Sequence, residues 1–172
     1  MEVSAGLLMY HIENGKIKVF LGHVGGPFFK NKDEGAWGVP KGKVEMDENG
    51  DSEKLLETAF REFEEETGIK LNLNRNNFID LGTVKRRNGK IVRVWAFLGS
   101  GKEKFVKSNY FEMEWPPKSG RIEKFVEIDK AKYIDLNEAR KKIHKFQVPL
   151  LNKLREEIRK KGLKEEKQRR LF

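Results

Sequence analysis

Four glutamates stand within the eight residues REFEEETG, from Arg61 to Gly68. On a helix, like charges four residues apart repel by roughly 0.2–0.5 kcal/mol per pair. At about 100° per residue, Glu62, Glu65 and Glu66 fall on one flank, at the edge of the segment's apolar stripe. Carboxylates that border a core favour a hard divalent cation such as Mg²⁺, which takes oxygen ligands. The alternative from spacing alone is a charge-rich helix whose repulsion is screened by water.

The same segment resembles the Nudix box, G-x5-E-x7-R-E-U-x-E-E-x-G-U, in which U is a bulky aliphatic or aromatic residue. Its second half is matched in order by Arg61, Glu62, Phe63, Glu65, Glu66, Gly68 and Ile69. Seven residues separate Glu53 from the arginine, as the box requires. Gly42 is the natural first glycine, but ten residues separate it from Glu53 instead of five. The extra residues fall in the turn-like stretch MDENGDS, where an insertion costs little.

The resemblance implies hydrolysis of a nucleoside diphosphate linked to another moiety, assisted by Mg²⁺ or Mn²⁺. By position, the metal ligands are Glu62, Glu65 and Glu66, and the Gly42 carbonyl can be another. Arg61 is implied to orient the carboxylates.

A further metal ligand is expected from the segment FVEIDKAKYIDL. It resembles a stretch of Nudix enzymes that act on diadenosine polyphosphates and RNA 5′ ends, with Glu127 in the place of their acidic residue. Val126 and Tyr133 replace the usual Pro and Trp, and Glu112 and Glu114 are the alternatives to Glu127. The general base is then Glu127 or a box glutamate, Glu65 or Glu66.

The stretch WGVPKGK resembles the entrance to the box in enzymes acting on dinucleoside polyphosphates, inositol pyrophosphates and RNA ends. It predicts Lys41, Lys43 and Trp37 as substrate-binding residues. Trp37, Phe28, Phe29 and Trp115 are candidates for stacking on a base, although a packing role suits each aromatic residue better when it is taken singly.

Three functions follow from these observations. The first is a nucleotide pyrophosphohydrolase acting on diadenosine polyphosphates or nucleoside triphosphates. The net charge of +9 raises a second, an RNA 5′-pyrophosphohydrolase. The third is a Nudix-fold sensor that binds a nucleotide without cleaving it.

The rest of the chain predicts how these residues are positioned. Apolar runs around Asn14-Gly15 and Asn88-Gly89 predict two hairpins. Helical spacing predicts a helix over Ser52–Thr67, capped by Asp51 or Ser52 and ended by Gly68. A strand is expected over Ala131–Leu136, a short helix over Glu138–His144 capped by Asn137, and a last helix from Pro149 to about Lys161. The expected fold is an α/β/α sandwich with a mixed sheet between helices.

Composition limits the remaining possibilities. The 172 residues suit one domain, expected over 1–161 and followed by a basic tail over 162–172. The sequence has no cysteine, which excludes disulfides and thiolate metal sites. We find no apolar stretch near the roughly 20 residues that span a bilayer, and expect a cytoplasmic protein with no obligate protein partner.

Overall fold

The computed structural model describes residues 2–46, 48–49, 54–72 and 77–171. Within them, seven strands form one mixed sheet and two form a separate hairpin. The large sheet contains β1 (Val3–Glu13), β2 (Lys16–Val24), β3 (Trp37–Gly38), β4 (Lys41–Lys43), β5 (Ile79–Lys85), β6 (Ile91–Leu98) and β9 (Ile128–Asp135). The separate hairpin contains β7 (Tyr110–Glu114) and β8 (Ile122–Val126).

Both predicted hairpins are confirmed. Asn14 and Gly15 have positive φ and join β1 to β2, with Glu13 opposite Lys16. The second hairpin pairs β5 with β6 in antiparallel fashion across the Asn88-Gly89 turn. The first eight residues of β1 then run parallel to β6, from Val3 opposite Ile91 to Tyr10 opposite Leu98, which makes the sheet mixed, as predicted.

Helices cover both faces of the sheet. The helices are α1 (Leu55–Thr67), α2 (Leu136–Lys142) and α3 (Val148–Leu171). Because successive strand residues point to opposite faces, Leu7 and Met9 of β1 pack in the α1 core with Phe63, whereas Leu8 and Tyr10 pack in the core that α2 and α3 share. The predicted α/β/α sandwich is therefore the observed fold.

Helix boundaries differ from the sequence prediction in three places. α1 begins at Leu55, with Lys54 at its N-cap, and the caps proposed at Asp51 or Ser52 lie outside the described residues. α2 begins at Leu136, one residue before Asn137, so Asn137 is inside the helix and Asp135 stands at its N-cap. α3 continues to Leu171 instead of ending near Lys161, because the lysines, glutamates and arginines after 161 are good helix formers.

The stretch Lys107–Gly120 lies outside the central sheet, and its paired prolines are unfavourable in a central strand. Pro116 and Pro117 occupy the turn between β7 and β8, where Trp115 N–H donates to the Arg121 carbonyl over 2.9 Å. No helix of the described chain is long and apolar enough to cross a membrane.

Candidate active site

The carboxylate flank of α1 faces β4 across a cavity of about 660 Å³. Gly42 of β4 lies directly against Glu62. A Cβ on Gly42 would stand 1.9 Å from the Glu62 carboxyl carbon, so only glycine allows the backbone this close. The glycine that the sequence aligned with the box therefore lies beside the box glutamates, although the box is longer than usual.

Arg61 holds two of the three carboxylates. Its Nη1 donates to Glu62 Oε1 over 2.9 Å and to Glu65 Oε2 over 3.1 Å. Its Nη2 donates to the Lys43 carbonyl over 3.2 Å, which ties α1 to β4. The guanidinium offsets part of the repulsion between the glutamates, and Asn109 Nδ2 makes a further hydrogen bond, 3.3 Å long, to Glu65.

Glu66 is the most perturbed acid of the site. Burial, helped by the charges of Glu62 and Glu127, raises the pKa of Glu66 to about 8 despite the Lys41 backbone N–H that donates to its Oε2 over 3.0 Å. Burial likewise raises the pKa of Glu62. The Lys41 side chain is partly buried here, and burial lowers its pKa. Groups with displaced pKa values gathered in one cleft are typical of functional sites.

Glu127 joins the α1 glutamates from a distant part of the sequence. It lies between β8 and β9 and lines the same cavity as Glu62, Glu65 and Glu66. Its position is fixed by the backbone, since its N–H donates to the Asn109 carbonyl over 2.7 Å and its carbonyl accepts from Gly25 over 2.9 Å. Burial raises the pKa of the Glu127 carboxyl.

The two alternatives to Glu127 have a different environment. Glu112 and Glu114 lie on β7, where Glu112 pairs in register with Lys124, and neither is among the described residues that line the cavity. The described cavity is lined by Glu127 instead.

Trp37 does not have the substrate-facing position that the sequence suggested. It is 1% exposed, packs in the α2/α3 core and donates from Nε1 to Asp33 Oδ1 over 2.9 Å. The prediction of a stacking role for Trp37 is therefore corrected to a packing role. Lys43, in contrast, does line the cavity, where its Nζ lies 3.1 Å from Glu2 Oε2.

A second chamber of about 310 Å³ adjoins the first and shares Lys41, Glu66, Arg86 and Glu127 with it. Its other walls include Phe29, His144, Phe146 and Gln147. Sequence reasoning gave His144 no role and did not consider Arg86 or Gln147. His144 and Gln147 belong to one short 3-10 turn over 144–147, whereas Arg86 follows the end of β5, so only the tertiary fold brings Arg86 next to them.

The donors of the first cavity suit a magnesium or manganese ion. Three carboxylates and the Gly42 backbone border one cleft, and hard cations prefer such oxygens. In the described part of the chain, no three acidic or imidazole side chains are grouped closely enough to hold a metal ion. Glu62 and Glu65 accept hydrogen bonds from Arg61, and Glu66 accepts one from the Lys41 N–H. The residues thus fit the ion chemically, and Arg61 positions two of them, Glu62 and Glu65.

Comparison with known proteins gives this arrangement a family. The NUDIX domain family profile matches residues 3–154, most of the chain. This chain belongs to the Nudix family. Nudix proteins are in general pyrophosphohydrolases that act on acid anhydrides and use divalent metals.

Solved structures agree on the fold of this Nudix protein. An Ap4A hydrolase from C. elegans, in a binary complex, superposes with a TM-score of 0.59 at 22% identity, covering 92% of this chain and 98% of that one. The NUDIX domain of Shewanella oneidensis NrtR, crystallised with ADP ribose, gives 0.56 at 19% identity, covering 91% and 87%.

A MutT/nudix family protein from Enterococcus faecalis gives a TM-score of 0.51 at 16% identity over 78% of this chain, which spans only 43% of that protein. No functionally curated protein matches the sequence significantly.

Proposed function

We propose that this Nudix protein hydrolyses a phosphoanhydride bond in nucleoside polyphosphates, with diadenosine polyphosphates as the preferred class. The observation that carries the proposal is the shared cavity. The α1 glutamates, the Gly42 backbone, Lys41 and Glu127 all border it. Acids that can hold a cation thus stand next to a lysine that can hold phosphate.

Glu62, Glu65, Glu66 and the Gly42 carbonyl would hold one or more Mg²⁺ or Mn²⁺ ions, with Glu127 as a further ligand or as the base. When bound, the ion neutralises phosphate charge and increases the acidity of a bound water. Arg61 positions Glu62 and Glu65 through the hydrogen bonds described above. The Gly42 backbone is held against Glu62 by close packing.

Among the acids, Glu127 suits the role of general base best. A base works best when its pKa lies near the operating pH, and burial moves the pKa of Glu127 in that direction. Glu66 is already engaged by the Lys41 N–H and Glu65 by Arg61 and Asn109. In the proposed reaction, Glu127 takes a proton from the water that attacks phosphorus as the phosphoanhydride P–O bond breaks.

Two positively charged side chains would bind the phosphates of the substrate. Lys41 and Arg86 border both chambers, so a phosphate chain that passes from one to the other meets both side chains. The C. elegans Ap4A hydrolase has a similar fold, and this similarity of fold is the support it gives to a dinucleoside polyphosphate as substrate.

A substrate panel tests the proposal. Diadenosine tetraphosphate, ATP, ADP-ribose and 5′-triphosphorylated RNA are incubated with Mg²⁺, and products are separated by anion exchange. We expect turnover of diadenosine tetraphosphate, and a loss of at least about 10²-fold in Glu127→Gln. Binding without turnover by the wild type would contradict hydrolysis and leave a nucleotide sensor. Faster turnover of the RNA, falling steeply with salt, would favour the RNA 5′-pyrophosphohydrolase.

A further inference from the structure

The Gln147 side chain is fully buried in the second chamber, and only half of its amide is satisfied. Its Oε1 accepts from Val39 N–H over 2.9 Å, which fixes which end of the amide is oxygen. Its Nε2 has no acceptor within hydrogen-bond distance among the described residues. Buried amide donors normally have a partner, so this N–H group is available to a ligand that enters the chamber.

His144 supplies the complementary group. Its Nδ1 lies 2.7 Å from the Gly35 carbonyl. A carbonyl can only accept, so Nδ1 carries the proton and Nε2 of the neutral ring is an acceptor. Burial lowers the pKa of His144, which keeps the ring neutral. In the part of the chain that the structure describes, Nε2 is without a hydrogen-bond partner.

The donor and the acceptor face the same space. A Cβ built on Gly38, which also lines the chamber, would lie 3.1 Å from His144 Nε2 and 3.3 Å from Gln147 Nε2. The same Cβ would clash with His144 Cδ2 at 2.8 Å. Glycine at this position therefore keeps both nitrogens accessible from one side.

Flat groups complete the chamber. The Phe146 ring is nearly parallel to the His144 ring, at 18° and 5.9 Å between centroids, and the Arg86 guanidinium lies 5.3 Å from the Phe146 centroid. Such surfaces stack on heteroaromatic rings. The volume of about 310 Å³ is at the lower end of the range for small-molecule sites, which suits one nucleoside.

We infer that the second chamber binds the adenine base of the substrate, with Gln147 Nε2 donating to a ring nitrogen and His144 Nε2 accepting from the neighbouring amine. Adenine carries this pair on two edges, because N1 and N7 each lie beside the N6 amine. Guanine presents two acceptors on its N7/O6 edge. This inference rests on the proposed function, since Arg86 and Lys41 then receive the phosphates that lead to Glu66 and Glu127.

The ligand side of the contact is tested with the full chain and no added metal. AMP, purine riboside 5′-monophosphate (which lacks the amine) and ribose 5-phosphate are titrated while NMR signals are followed. We expect AMP to bind about tenfold more tightly than the purine analogue, the effect of one buried hydrogen bond. We expect ribose 5-phosphate to bind more weakly still, and the Gly38 signal to shift only with the two bases.

Two variants test the protein side. His144→Asn keeps an amide donor for the Gly35 carbonyl and moves the acceptor back from the position of Nε2 to that of Cδ2, so the tenfold preference for AMP should be largely lost. Gln147→Glu keeps the acceptor for Val39 N–H and removes the donor, so both ligands should lose about tenfold. His11→Asn is the matched control, because His11 Nδ1 bonds the Gly99 carbonyl in the same way, over 3.0 Å, on β1. It should keep the tenfold preference.

Two results would overturn the inference. One is a preference for AMP that persists in His144→Asn, and the other is wild-type protein that binds AMP no more tightly than ribose 5-phosphate. The wild-type titrations stand even if a variant fails to fold, which a melting curve shows. AMP contains no anhydride, so its binding is measured independently of hydrolysis. If the protein prefers AMP to the other ligands but does not hydrolyse diadenosine tetraphosphate, the proposed function is contradicted and the adenine site is retained.

Discussion

At the scale of single residues, Glu127 decides whether the cavity is a catalytic centre. We expect Glu127→Gln to lower kcat by about 10²-fold or more with little change in substrate affinity, because the amide cannot accept a proton. Steady-state kinetics on diadenosine tetraphosphate measures both quantities.

Glu112 and Glu114 provide the controls for Glu127. Both lie on β7 and are not among the described residues that line the cavity, so the Glu112→Gln and Glu114→Gln variants should turn over substrate at the wild-type rate. A large loss in either variant, with near-normal Glu127→Gln, would move the role to the β7–β8 hairpin.

Lys41 tests how the phosphate chain lies in the site. A charge-assisted contact is worth about 1.5–3 kcal/mol, so Lys41→Ala should reduce kcat/KM for diadenosine tetraphosphate about 10- to 100-fold. A two-phosphate compound such as ADP-ribose should lose much less, since fewer phosphates reach beyond the one attacked.

Lys43 is the matched control for Lys41. Both lie on β4, but the Lys43 side chain is 67% exposed and is paired with Glu2, so Lys43→Ala should cost less than Lys41→Ala on diadenosine tetraphosphate. An equal loss on both substrates in Lys41→Ala would show instead that the change disturbed Gly42 and Glu66.

At the scale of elements, α1 places its carboxylates close together, and their mutual repulsion lowers the free energy of unfolding. A bound cation would reduce this repulsion. Mg²⁺ or Mn²⁺ at a hundredfold excess over Kd should add about 2.7 kcal/mol to the free energy of unfolding. For a chain of this size each kcal/mol raises Tm by about 2–4 °C. Thermal melting with and without the ion measures the gain, and chelation should remove it.

Glu66→Gln should abolish most of that gain, because it replaces one proposed ligand with a neutral amide. Glu64→Gln is the control on the same helix. Glu64 contacts Lys70 and the Leu71 N–H instead of the cavity, so this variant should respond to the ion like the wild type. An undiminished response in Glu66→Gln would show that the ions bind elsewhere.

The loop after β6 is held to β9 through Glu103. Burial opposes ionisation of Glu103, but hydrogen bonds from Ser100 and from the Tyr133 hydroxyl lower its pKa to about 2. Because the folded pKa is below the unfolded one, the stabilisation is present above pH 4.5 and is lost as pH falls towards 2.

We expect Glu103→Gln to destabilise the protein by on the order of 1 kcal/mol at pH 7, allowing for solvent screening. The difference in Tm from the wild type should shrink at pH 3. The exposed Glu123 of β8 provides the control Glu123→Gln, which should match the wild type at both pH values. If Glu103→Gln lowers Tm by the same amount at pH 7 and at pH 3, the ionised Glu103 carboxylate is not the source of the stabilisation.

Local sequence patterns determined α1 and both hairpins well. Periodicity places Ala59 and Phe63 on the buried face, Gly68 takes the left-handed conformation that ends the helix, and Asn-Gly pairs form the turns. The predicted substrate contact of Trp37 was wrong, because the residues that bury its side chain are distant from it in the sequence. The second chamber was not predicted for the same reason, since Arg86, after β5, and His144, before α3, are far apart in the sequence and meet only in the folded chain.

At the scale of the whole molecule, the positive charge is unevenly placed. Residues 162–172 carry four Lys or Arg residues against two Glu residues, and the described part of α3 beyond Lys160 is exposed. The buried leucines of α3 are Leu150, Leu151 and Leu154, and the family profile ends at residue 154. We therefore propose that residues 1–161 form the folding unit and that the end of α3 contributes charge without contributing to the core.

Deletion of residues 162–172 tests this division. Surface changes usually stay within about 0.5 kcal/mol, so we expect Tm to fall by no more than about 2 °C and the kcat/KM for diadenosine tetraphosphate to be unchanged. Leu154→Ala is the contrast within the same helix, because truncating a buried leucine costs about 2–5 kcal/mol. A deletion that destabilises the protein as much as Leu154→Ala would extend the domain to the end of α3. The deletion could instead leave hydrolysis of the dinucleotide unchanged but weaken RNA binding and reduce the salt dependence of that binding. This result would make the basic end of α3 a nucleic-acid contact.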